Sequence, residues 1–173
     1  MLETKDYIIE VSKLVNGNNE FEIETDKALF DKFECNEAQN LRVNIRININ
    51  KSERLLELKF EYKGWIDVLC GRCLGDLRLD IDKTSNLYIK FGERKEEMDI
   101  NQWILPEGEN EINILSYVYE DLRIMIPIAP MHSKESDCDK EMIDKLSQIN
   151  EESSKYKDNY IDPRWEKLKE LKK

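Results

Sequence analysis

Two thiols two residues apart, in Cys70-Gly71-Arg72-Cys73, can bite one metal ion or exchange electrons. The chain carries four cysteines and one histidine. That histidine, His132, lies downstream, with Cys138 six residues after it. Zinc takes four nitrogen or sulfur ligands in a tetrahedron, usually as a CxxC knuckle plus a second pair. Cys70, Cys73, His132 and Cys138 make such a set, with zinc as the candidate cofactor. Their second spacing is longer than usual. A closed Cys3His site is structural, because it leaves no open position for catalysis. Two other readings stand beside it. A thioredoxin-like CxxC needs a strand before it and a helix after it, whose N-terminus lowers the thiol pKa. Here the residues after Cys73 alternate like a strand, which removes that support. The remaining reading is that the thiols are simply buried or unliganded. Cys35, in Phe33-Glu34-Cys35, reads as packed or idle.

The elements around the CxxC alternate with period two. Leu41, Val43, Ile45, Ile47 and Ile49 face one side, and Arg42, Asn44, Arg46, Asn48 and Asn50 the other. This is a half-buried strand. Leu56, Leu58, Phe60 and Tyr62 continue the pattern, past Gly64, to Ile66, Val68 and Cys70. A glycine inside a strand suggests a bend or bulge. After the CxxC, Leu77, Leu79 and Ile81 alternate, and a further run spans Leu87 to Phe91. Tyr7 to Val11 and Phe21 to Ile23 read as shorter strands joined through Asn16-Gly17-Asn18-Asn19. Short connections imply antiparallel pairing.

The second half changes period. Leu115, Val118, Tyr119, Leu122, Met125 and Ile126 form a helix stripe that Pro127 stops. Residues 93–110 read as a charged loop. Asp139 to Asn150 predicts a helix, Glu151 to Asn159 a linker, and Asp162-Pro163 the start of a last helix. The expected class is α+β: an antiparallel sheet, either closed into a small barrel or curled over a helix, with one packed helix and C-terminal helices. The expected division is 1–138, the sheet domain with its CxxC knuckle and helix, and 139–173, a helical tail.

At 173 residues the chain suffices for one domain with a proper core. No stretch approaches the roughly 20 apolar residues of a membrane span, and the mixed-charge start is unlike a signal peptide. The expected address is therefore the cytosol, where thiols stay reduced. A net charge of −10 disfavours broad nonspecific binding to nucleic acid. One basic stretch, Arg164, Lys167, Lys169, Lys172 and Lys173, runs against Glu166 and Glu170. Such runs are usually solvated helix ends. No Ser/Cys–His arrangement with an orienting third group and no glycine-rich phosphate loop occurs, so the chain reads as a non-enzyme.

Several of these pieces together resemble one family. Cys70-Gly71-Arg72-Cys73-Leu74 between two strands is similar to the C-x-R-C-L signature of the YceD-like family, also called the large ribosomal RNA subunit accumulation proteins. Glu120 to Pro127 resembles its acidic, leucine-rich helix running into a Leu-Pro step. Met131-His132 and Cys138 resemble its downstream His/Cys region, and Asp162-Pro163-Arg164-Trp165 with Leu168 and Leu171 its D-P-R-x-x-x-L-x-x-L ending. Many members carry a second CxxC after the proline step, where this chain has only His132 and Cys138. The resemblance implies a non-catalytic role in accumulation or processing of large-subunit ribosomal RNA during ribosome assembly. The implied partner is a large-subunit ribosomal protein or a pre-ribosomal particle, and no membrane. The acidic body suits a basic partner, while Arg164, Trp165, Lys167 and Lys169 are the candidate RNA or partner contacts in the C-terminal tail. The alternatives are a cysteine-based metal or redox protein and an interaction scaffold unrelated to ribosomes.

Overall fold

The alternating runs fold as strands in the computed structural model, which describes residues 4–92, 97–99, 101–106 and 108–157. In chain order the elements are β1 (Ile8–Glu10), β2 (Gly17–Asp26), α1 (Lys27–Lys32), β3 (Asn40–Lys51), β4 (Leu55–Leu69), β5 (Asp76–Gly92), β6 (Glu97–Asp99), β7 (Gln102–Pro106), β8 (Glu111–Asn113), α2 (Leu115–Met125) and α3 (Lys140–Lys157). Six strands make one sheet in the order β2-β3-β4-β5-β7-β6, and β1 pairs with β8 in a separate two-stranded sheet. The class is α+β, as the patterns predict. The large sheet is open, not a barrel: β2 and β6 are its two edges.

The chain divides into two compact units. One comprises Met1–Leu69 and Asp76–Pro130, and the other Cys70–Gly75 and Met131–Lys173. The first unit holds both sheets, α1 and α2. Its core is the apolar face of the long strands. Leu41, Val43, Ile45, Ile47 and Ile49 of β3 are buried, as are Leu56, Leu58, Phe60, Tyr62, Ile66 and Val68 of β4. The stripe of α2 covers that face. Val118 and Leu122 are fully buried, and the Tyr117 ring lies 5.0 Å from Phe60. Aromatic packing continues to α1, where Phe30 meets the Tyr119 ring edge-on at 5.5 Å.

Gly64 sits in β4 without any shift of register, with Val43 opposite it. Of the bend or bulge expected there, no bulge occurs. The glycine instead permits close approach: a Cβ there would lie 2.1 Å from the Arg42 carbonyl oxygen.

Four local expectations give way. β1 does not pair with β2 through the asparagine-rich turn. β2 pairs with β3 from Gly17–Lys51 to Asp26–Arg42, so its inward residues share the β3 apolar face. The Asn19 side chain instead closes a local turn, with its Nδ2 donating to the Val15 carbonyl at 2.8 Å. Residues 93–110 are not all loop. Trp103 and Leu105 alternate in β7, which runs parallel to β5. A short connection reaches a parallel neighbour because β6 first turns at the sheet edge and pairs antiparallel with β7. Leu77 to Phe91 is one strand, not two runs. Finally, α3 continues through the expected linker to Lys157. The last predicted helix, with Arg164, Trp165, Lys167 and Lys169, lies outside the described residues.

Candidate metal centre

The second unit starts from a tight turn. Between β4 and β5 the Leu74 N–H donates to the Cys70 carbonyl at 2.8 Å, and the Cys70 N–H donates to the Gly75 carbonyl at 2.8 Å. The left-handed position of this turn is Leu74, with φ 58°. The turn brings Cys70 and Cys73 together. After Pro130 the chain supplies the second pair. A 3-10 turn over Glu135–Asp137 folds it back, and the Cys138 N–H donates to the Glu135 carbonyl at 3.1 Å. This turn absorbs the long spacing between His132 and Cys138. Directly after it, the Asp139 carboxylate accepts from the Met142 N–H at 2.9 Å and caps α3.

The four side chains predicted to act together do meet. The ligand atoms of Cys70, Cys73, His132 and Cys138 all lie within 4.8 Å of one another. The three cysteines are buried and the histidine half-buried. His132 Nδ1 is 3.6 Å from the Cys73 sulfur and 3.7 Å from the Cys138 sulfur. A tetrahedral zinc with ordinary Zn–S and Zn–N bonds requires S···N separations of roughly 3.6 Å. The donor chemistry and its spacing therefore fit zinc. Cys35 is absent from the cluster. It lies in the first unit, its N–H donating to the Phe30 carbonyl at 3.0 Å.

The electrostatics of the site are uneven. Burial pushes the Cys70 thiol up, but the backbone N–H groups of Cys73, His132 and Arg72 outweigh it and bring the pKa down to about 6. For Cys73 the backbone N–H groups of Asp139 and Gly75 lead, and its pKa is lowered. Burial, and then the neighbouring Cys73 sulfur, raise Cys138 to about 11. Amide donors aimed at sulfur favour the thiolate, the form that binds metal.

Arg72 is the residue whose role sequence reasoning missed. Its guanidinium nitrogens lie 3.8 Å from the Cys138 sulfur and 3.9 Å from the Met131 sulfur. Three thiolates around one Zn2+ would leave a net negative charge, which this cation would offset. The signal available in the sequence was its place inside the CxxC, which forces it close to whatever the two thiols hold.

This is an α+β protein with a Cys3His cluster of closed, metal-compatible geometry. Residues 58–172 match the family described as large ribosomal RNA subunit accumulation protein YceD. That match covers more than half of the chain, which belongs to this family. No match is found among curated proteins or solved structures. Among the described residues no helix is long and apolar enough to cross a membrane.

Proposed function

We propose that this chain is a non-catalytic ribosome-assembly factor that promotes accumulation or processing of large-subunit ribosomal RNA, with structural zinc on Cys70, Cys73, His132 and Cys138. The observation that carries this reading is the four-ligand cluster inside the family-matched segment. Four protein ligands fill a zinc tetrahedron, so the metal has no position left for water or substrate. Zinc at such a site supplies cross-linking energy and no reaction. It would tie the CxxC turn to the segment from Met131 to Cys138. The partner is a large-subunit ribosomal protein or a precursor particle in the cytoplasm. The net charge of −10 supports a basic partner surface. Arg164, Trp165, Lys167 and Lys169 are assigned to contact with ribosomal RNA or that partner.

The test is a deletion strain complemented with the wild-type chain or with Cys70→Ser/Cys73→Ser. Mature large-subunit RNA falls on deletion and is restored by the wild type but not by the double variant. Unchanged large-subunit RNA in the deletion strain would refute the role.

A further inference from the structure

The geometry points to the free edge of β2 as a docking site for an extended, lysine- or arginine-rich polypeptide segment, added to the sheet as a further strand. This deepens the assembly-factor reading, on which it rests, by naming a partner chemistry and its place.

β2 is the long edge of the six-stranded sheet, and among the described residues its one strand neighbour is β3. Its pairing runs in unbroken register over all ten residues, Gly17 to Asp26. On the outer side, alternate residues turn N–H and C=O groups away from β3. An unpaired edge of this kind is a template for another strand unless it is shortened, bulged, charged, covered or blocked by proline. β2 is ten residues long, unbulged and free of proline, and its charges are all acidic, so they guard the edge against another acidic strand and leave it open to a basic one.

A groove of about 420 Å³ lies along this edge, lined by Asp6, Ile8, Ile9, Phe21, Glu22, Ile23, Glu24 and Ile47. Its floor is apolar and its rim acidic. Phe21, inward by parity, is nevertheless 40% exposed, so it offers apolar contact to an incoming side chain. On the opposite face of the strand Glu20, Glu22, Glu24 and Asp26 form an acidic row. Arg46 and Arg42 of β3 pair with Glu20 and Glu24, at 3.1 and 2.6 Å, and the basic count stays below the acidic one.

The acids decide the occupant. A second copy of β2 would set its own acidic row against this one, and like charges directly opposite across strands destabilise pairing. RNA would meet the same repulsion from its phosphates. A segment alternating Lys or Arg with apolar residues satisfies all three features: its backbone takes the edge hydrogen bonds, its cations face the row, and its apolar side chains enter the groove. Residues 17–26 lie outside the family-matched segment, 58–172.

The test titrates the full-length protein against a fluorescein-labelled peptide of alternating Lys and Val, read by anisotropy. Three comparison probes are the Glu/Val counterpart, the Lys/Val peptide N-methylated at alternate residues, and a single-stranded oligouridine. The Lys/Val peptide binds. N-methylation weakens binding at least about tenfold, since it removes backbone donors and leaves charge unchanged. The combined variant Glu20→Lys/Glu22→Lys/Glu24→Lys weakens it by a similar factor. Equal binding of the N-methylated peptide shows charge attraction without strand addition and overturns the proposal. So does tighter binding of oligouridine, or self-association of the wild type that the triple variant abolishes. Co-sedimentation with large-subunit precursors separates the two readings. A wild type that never sediments with them refutes the assembly role. A wild type that sediments no better than the triple variant, and binds no peptide, refutes the edge alone.

Discussion

Cys70 and Cys138 differ by several pKa units within one cluster, at about 6 and about 11. At neutral pH Cys138 keeps its proton, so binding a metal there must expel at least one. Metal affinity therefore rises with pH across the neutral range, with log K increasing by at least about one per pH unit, as a competition titration against a chromogenic chelator would record. Arg72 tunes the same site without being a ligand. Arg72→Ala is expected to weaken zinc affinity by about tenfold to a hundredfold while leaving one ion per chain at saturation, as outer partners of metal sites usually do. A stoichiometry change instead would make Arg72 part of the fold of the turn. Cys70→Ser removes a ligand, and ligand loss is also loss of folding free energy. Hydrogen exchange should speed up in Cys70–Gly75 and from Met131 to Asp139. It should stay slow in β3 and β4, whose buried core contains none of the four ligands.

The strands make a sharper stability prediction than the site does. A Cβ on Gly64 would collide with backbone of β3, which no rotamer change relieves. Gly64→Ala should cost about 3 kcal/mol in urea unfolding, comparable to removing a core side chain. Phe60→Ala should cost about 3–5 kcal/mol, because the ring is fully buried and packs on Tyr117. The legibility of the elements follows from how many residues repeat the pattern. β3 and β4 were readable because every second side chain is apolar, and α2 because its stripe repeats at three and four. β7 was not: five residues ending in proline, within a charged stretch, carry too few repeats to outweigh composition. α1, at six residues, was equally silent, although its cap is ordinary, with Asp26 accepting from the Ala28 N–H at 2.9 Å. Pairing partners were the least legible. That β1 belongs with β8 depends on contacts a hundred residues apart in sequence, which no local period encodes. Of the site, the four ligands were readable by type. Their grouping as one set was readable too, but not the means of their convergence, the 3-10 turn that shortens the reach from His132 to Cys138.

Taken whole, the molecule is an acidic α+β body whose family role concerns large-subunit ribosomal RNA. Under the proposed function, its net charge of −10 favours a basic protein over RNA as the partner of the body. Removing Lys167 and Lys169 by substitution with Gln should weaken particle association and flatten its salt dependence if the tail contacts RNA. The proposed structural role of Cys70, Cys73, His132 and Cys138 depends on the cluster being a closed metal site. Zinc X-ray absorption on the natively purified chain tests that most directly. The account predicts one zinc per chain with three sulfur neighbours at roughly 2.3 Å and one nitrogen at roughly 2.0 Å. Protein free of zinc, or zinc with water or carboxylate oxygen among its neighbours, would contradict it.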